Sequence, residues 1–288
     1  MPVNPDFPVY IPSKGRHDTR ITVRYLERLG VPFRVVVEEQ EHRQYAEVID
    51  PRRLLVLDKA YQRDYDICDD WPEGRSKGSG PARNFIWDHA AASGAPWHWI
   101  MDDNISGFYR CNRNTKIQVA DGTIFRVMED FCLRYENVGM AGPNYEFFVL
   151  RREPKPPFTL NTRIYSCNLI RTGLPFRWRG RYNEDTDLSL RMLKAGLCTV
   201  LFNAFLQKKV RTQAVPGGNT TELYANGTLA KSNMIVALHP DVCRLTRKYG
   251  RHHHHVDYSP FKANKLVRKP DLEVRPGADE YGMRLVAA

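Results

Sequence analysis

The chain has 288 residues, 42% hydrophobic and 26% charged, enough for a substantial core in one large domain or two small ones. It shows no low-complexity tract, no membrane-length apolar run and no signal-peptide pattern at Met1-Pro2-Val3-Asn4-Pro5-Asp6, so the expectation is a soluble, cytoplasmic protein without membrane association. A formal net charge of +10 points to a polyanionic partner such as nucleic acid or a diphosphate substrate. The six cysteines are scattered without a close pair, against a zinc knuckle or a disulfide framework.

The first half alternates strands and helices. A strand over 7–11 runs into the loop Pro12-Ser13-Lys14-Gly15-Arg16, and a helix from an Asp18 N-cap to Leu29 ends at Gly30 and Pro32. Strands follow over 33–37 and 54–57, then a polar loop over 64–80. Pro81 suits the first turn of a helix over 82–92, stopped by Gly94 and Pro96, and the next strand ends in Asp102-Asp103-Asn104. This spacing predicts an α/β fold whose mixed, mainly parallel sheet has helices on both faces.

The second half predicts strands over 138–141 and 147–150 around Gly142-Pro143-Asn144, a strand over 163–170, a helix over 187–195 and a strand over 199–202. Helices are expected over 223–238 and 240–249. One domain over 1–249 is favoured, with the His-rich, basic segment 250–288 packed on it as an extension.

Two acidic clusters about eighty residues apart carry the chemistry: Asp102-Asp103-Asn104 and Asn183-Glu184-Asp185-Thr186-Asp187. Carboxylates at the carboxyl edge of a buried strand suit a hard divalent cation, magnesium or manganese, over a substrate diphosphate. A second carboxylate at the mouth of the same cleft suits removal of a proton from an attacking hydroxyl. Capping explains one acid of the second cluster but not three within four residues. Gly78-Ser79-Gly80-Pro81-Ala82-Arg83-Asn84 joins a glycine-rich loop to a helix start, a phosphate-binding pattern that is also common as a plain turn. His252-His253-His254-His255 could offer a neutral imidazole to the metal; His239 is an alternative, better explained as a helix-start residue. No nucleic-acid-binding motif accompanies the charge, so any nucleic acid would be gripped through phosphates.

Together these residues resemble the metal-dependent glycosyltransferases of GT-A fold. Ile100-Met101-Asp102-Asp103-Asn104 is similar to their DxD-type motif, Glu184 to Arg191 to their ED motif and its helix, and Ala82-Arg83-Asn84 to a recurrent nucleotide-sugar element. Tyr10 to Arg16, Gly217-Gly218-Asn219 and the His-His-His-His-Val-Asp-Tyr segment resemble the TET-associated glycosyltransferases, linked to phage and other genomes with decorated hydroxymethylated bases. That resemblance implies a UDP-sugar donor and 5-hydroxymethylcytosine in DNA as acceptor. It also implies Asp102 on the ribose or sugar, Asp103 on the metal and, for a reaction that inverts the anomeric centre, Asp185 as the base; His253 and His254 of the histidine tract are the candidate further metal ligands. Pro12, Lys14, Arg16, Arg83 and Asn84 would complete the donor site. Asn104 departs from the family, where a third carboxylate is common. A protein or glycan acceptor, or a non-catalytic nucleic-acid-binding module, are the competing expectations. A nucleotidyltransferase would need a longer glycine-rich first loop.

Overall fold

Alternating apolar residues along short strands decide how the layers form. The computed structural model describes residues 3–69, 76–113, 115–153, 155–210, 229–248 and 250–271. The first strands are β1 (Val9–Pro12), β2 (Arg34–Val37), β3 (Leu54–Val56) and β4 (Trp97–Met101). They are followed by β5 (Ile105–Asn112), β6 (Thr115–Gln118), β7 (Val138–Tyr145), β8 (Phe158–Leu160), β9 (Cys167–Arg171) and β10 (Cys198–Lys209). These strands make a ten-stranded sheet of order β3-β2-β1-β4-β9-β7-β10-β5-β6, with β8 paired to β10. The first four strands are parallel, as are β7 and β10, while β9, β5, β6 and β8 run antiparallel to their neighbours.

Helices cover both faces, as the alternation predicts. Val9, Ile11, Val35, Val37, Trp99 and Met101 pack against α1 (Ile21–Leu29) and α5 (Thr123–Leu133). Tyr10, Val36 and Ile100 point the other way, against α4 (Gly80–Ala92) and α6 (Glu184–Lys194). Two short helices, α2 (His42–Ala46) and α3 (Lys59–Asp64), flank β3.

Several expectations are corrected. Asp18 does not cap α1, which starts after Arg20. Thr22 in its first turn donates to the Asp102 carbonyl at 2.6 Å and accepts from the Ile105 amide at 2.8 Å, so the end of β4 fixes where α1 begins. The helix expected from Asp187 begins at Glu184, because its acids fit the amide-rich first turn. Phe147 belongs to a 3₁₀ turn (Glu146–Phe148), not a strand. The helix expected over 240–249 is instead β11 (Cys243–Lys248), which pairs with β12 (Arg251–Val256) in a hairpin turned at Gly250, φ 73°. The hairpin packs on α6 and α7 (Leu229–Leu238) through Leu190, Leu193, Ile235, Val242 and Cys243. The first residues of the helix expected over 223–238, and Gly217-Gly218-Asn219, lie outside the described residues.

The apparent break at Gly142-Pro143-Asn144 is the middle of β7. The pairing register with β10 slips between Phe202 and Leu206, opposite Pro143 and Asn144, so the proline lacks a donor where the ladder is already irregular. Gly142 is required by close approach: a Cβ there would meet the Cys167 carbonyl oxygen at 2.2 Å and the Ile164 side chain at 2.7 Å. A backbone atom cannot swing aside. Gly142→Ala should therefore lower stability by about 1–3 kcal/mol in urea unfolding. An unchanged midpoint would show that β9 can move away without cost.

Candidate active site

β4 ends at Met101, and the chain leaves the sheet through Asp102, Asp103 and Asn104 before β5 returns. These residues lie at the carboxyl edge of the parallel strands, beside the loop that follows β1. They open on a cleft of about 370 Å³ whose walls include Pro12, Ser13, Lys14 and Arg16 from that loop, Arg83 from α4, Asp185 from α6 and Lys209 from the end of β10.

Asp102 accepts from Arg83 at 2.9 Å and from Lys209 at 2.6 Å. Burial by itself would raise its carboxyl, but Lys209 and Arg83 outweigh burial and hold it below its ordinary value. Its backbone amide donates to the Ser166 carbonyl at 2.7 Å. Asp103 accepts from Ser13 at 2.9 Å and from Arg16. There burial wins, and the carboxyl is raised despite Arg16 and Ser13. Lys14 reaches Glu38, which follows the neighbouring strand β2 and also lines the cleft, at 2.9 Å.

Arg83 is 2% exposed, and its guanidinium lies 4.5 Å over the Trp178 ring. It donates to Asp185 and Asp102 and comes within 3.7 Å of Glu184, bridging the two acidic clusters. Asn84 holds Trp178 from its backbone, donating to its carbonyl at 2.9 Å and accepting from its amide at 2.7 Å. Asn84 is therefore not in the cleft wall; it fixes the ring beneath Arg83.

Asp185 is the second residue of α6 and lines the cleft. Burial pushes its carboxyl up to about 6, Arg83 opposes the rise, and Glu184 and Asp102 add to it. Glu184 also lines the cleft and accepts from Ser79 at 3.1 Å. Asp187 has another position, fully buried among Arg179 at 3.1 Å, Arg191 at 2.7 Å and His239 at 2.9 Å. It ties α6 to His239 at the end of α7 and to Arg179 in the loop between β9 and α6, outside the cleft wall. His239 is its partner at the end of α7, not a helix-start residue.

The fit to a hard cation can be tested on the atoms present. The Asn104 amide nitrogen donates to the Val210 carbonyl at 3.3 Å, and among the described residues its buried Oδ1 at the cleft wall has no hydrogen-bond partner. Asp103 Oδ1 accepts from Arg16 and Oδ2 from Ser13, and a carboxylate oxygen has lone pairs for more than one partner. Magnesium commonly takes one or two protein oxygens and completes its shell with water and substrate phosphate. Asp103 and Asn104 fit that mode. Among the described residues no three His, Cys, Asp or Glu side chains come together as a metal-binding group. His253 and His254 lie on β12, paired opposite Thr246 and Leu245, and neither lines the cleft. Burial, with Arg163 and Lys231 nearby, pushes His254 down to about 4, and those two cations themselves line the cleft.

A model of the TET-associated glycosyltransferases matches residues 7–218. The chain belongs to that family. A search of curated proteins finds no match. Family membership makes the chain a glycosyltransferase and implies a sugar donor. Among the described residues no helix is long and apolar enough to cross a membrane.

Sequence reasoning missed Tyr145, Ser166 and Lys209 as cleft residues, and it reached Ser13 only as part of the loop Pro12 to Arg16. Lys209 had a faint signal, a lysine pair closing a long apolar strand. Ser166 had none. It takes a left-handed φ of 65°, and its hydroxyl meets both Lys209 at 2.9 Å and Tyr145 at 2.6 Å, a strained residue at the centre of a site.

Asp187 separates support from chemistry. Asp187→Asn removes one partner of a buried ion cluster and should cost roughly 3–5 kcal/mol in urea unfolding, with KM for both substrates unchanged in the protein that remains folded. A raised acceptor KM at unaltered stability would instead put Asp187 at the acceptor.

Proposed function

We propose that the protein moves a sugar from a UDP-sugar to the hydroxymethyl oxygen of 5-hydroxymethylcytosine in DNA, with a magnesium or manganese ion at the donor diphosphate. The observation that carries this reading is the Asp185 carboxyl: half-buried at 19% side-chain exposure, on the cleft wall, and raised to about 6. A hydroxymethyl group is a weak nucleophile near neutral pH and needs a base within hydrogen-bond reach. The formal charge of +10 supports a polyanionic acceptor over a neutral glycan.

In this mechanism Arg83 holds Asp185 through Oδ1, which leaves Oδ2 to take the acceptor's proton. The acceptor oxygen forms the new bond to the anomeric carbon as the bond to the donor phosphate oxygen breaks. UDP leaves with that electron pair, and the proton stays on Asp185. Asp102, kept ionised by Lys209 and Arg83, accepts hydrogen bonds from donor hydroxyls. Arg16, Lys14 and Lys209 add positive charge beside the leaving diphosphate. A cation held by Asp103 and Asn104 would supply Lewis-acid neutralisation of that diphosphate.

The direct test incubates the protein with manganese, a panel of UDP-sugars, and hydroxymethylated or plain DNA, then digests the DNA and weighs the nucleosides. A sugar's mass should appear on hydroxymethylcytosine and vanish with chelator. Transfer to a protein or glycan, with none to DNA, would reject the acceptor.

Asp185 has its own signature. A base works only when deprotonated, so kcat/KM should fall about tenfold per pH unit below about 6 and level off above it. Asp185→Asn should keep UDP-sugar binding, cut turnover by about 10²–10⁴-fold and abolish that acid limb. A product that retains the donor's anomeric configuration would remove Asp185 from the role.

A further inference from the structure

β7 ends at Tyr145, and the 3₁₀ turn after it carries Phe147 and Phe148 into solvent at 53% and 43% exposure. The rings of Tyr145 and Phe147 stack at 5.2 Å with planes 16° apart, and Phe147 meets Phe148 at 4.3 Å. Lys116 of β6 donates to the carboxylate of Glu146 at 3.1 Å and to its carbonyl, so the turn is tied down and the rings are held outward. Leaving large apolar rings in water is unfavourable, and a group of them beside a cleft marks a contact surface.

The inner end of this stack is part of the site. Tyr145 lines the cleft, and its hydroxyl meets Ser166 at 2.6 Å; Ser166 meets Lys209 at 2.9 Å, and Lys209 meets Asp102 at 2.6 Å. Arg151, Arg152 and Lys155 follow the turn, all exposed, with Glu153 as the opposing charge. Arg113, also exposed, closes the β5–β6 hairpin that carries Lys116. Flat rings flanked by cations bind nucleic acid by stacking bases and pairing with phosphates. A base still stacked in a duplex cannot enter such a cleft, so its extrusion must be compensated by contacts of this kind.

We propose that Tyr145, Phe147 and Phe148 form a stacking platform for the bases flanking the acceptor nucleotide, with Arg151 and Arg152 on its phosphates. This rests on the nucleic-acid acceptor proposed above. A patch that docked another protein would have no need to be continuous with the donor-binding acid or flanked by arginines. The class of ligand is a partly unstacked DNA strand.

The test compares wild type with a Phe147→Ala/Phe148→Ala pair, a Phe147→Trp/Phe148→Trp pair and an Arg151→Ala/Arg152→Ala pair. Anisotropy titrations of a hydroxymethylated oligonucleotide at several salt concentrations give the DNA affinity, and calorimetry with UDP reports the donor site. The alanine pair should weaken DNA binding and raise the DNA KM on the order of tenfold or more, leaving UDP affinity unchanged. The tryptophan pair should restore both. The arginine pair should flatten the salt dependence by roughly 0.9 in logarithmic slope per lost phosphate contact. Wild-type DNA affinity and KM in the phenylalanine-to-alanine pair would overturn the platform, and a changed sedimentation coefficient in that variant would make the rings a protein contact. A wild-type protein that neither binds nor modifies DNA would remove the acceptor reading itself, before any variant is compared.

Discussion

Arg83 is the interaction on which the site depends. A guanidinium at 2% exposure has lost nearly all its hydration, and only dense pairing makes that tolerable. It finds Asp102 at the end of β4, and Asp185 with Glu184 at the start of α6, while Trp178 covers its face. One cation therefore fixes the spacing of Asp102 and the candidate base Asp185. The carboxylates reciprocate: burial would tend to deprotonate Arg83, and their combined charge reverses that. Lys209 and Arg16 extend the pattern, so each acid of the first cluster has its own cation.

The sheet makes this meeting possible. β1 and β4 are parallel neighbours, so the loop after β1 and the acids after β4 reach the same edge. β10 runs twelve residues between β7 and β5 and delivers Lys209 to that edge. Asp187 shows how support and chemistry divide along a single helix turn. Its neighbour Asp185 faces the cleft, whereas Asp187 is enclosed by Arg179, Arg191 and His239. The C-terminal hairpin then closes over α6 and α7 through its own apolar cluster, which steadies the helix that presents Asp185.

Much of the first half was legible in the sequence. β1, β2, β3 and β4 fall close to the short apolar runs that predicted them, because a strand buried on both faces is written locally as a near-continuous apolar segment. α4 starts at the Pro81 signal for the same kind of local reason. The expected elements failed where long-range packing overrode local signals. Gly142-Pro143-Asn144 reads as a turn, yet β9 presses against Gly142 and an irregular β10 accommodates Pro143. The segment before Gly250 reads as a helix, but strand pairing with the histidine tract satisfies its backbone instead.

By itself, the sequence determined the two acidic clusters, the fold class and the family, because those rest on residue identity, order and spacing along the chain. Tertiary structure alone decided which side chains share the cleft. Ser13 meets Asp103 across 90 positions and Lys209 meets Asp102 across 107, contacts that strand order creates and no local pattern encodes. It also separated neighbours that look alike in sequence. Arg83 faces the acids while Asn84 anchors a tryptophan, and Asp185 faces the cleft while Asp187 is buried in support. The physical reason is direction: a helix turns each successive side chain by about 100°, so adjacent residues face different surroundings, and only the packed fold defines what those surroundings are.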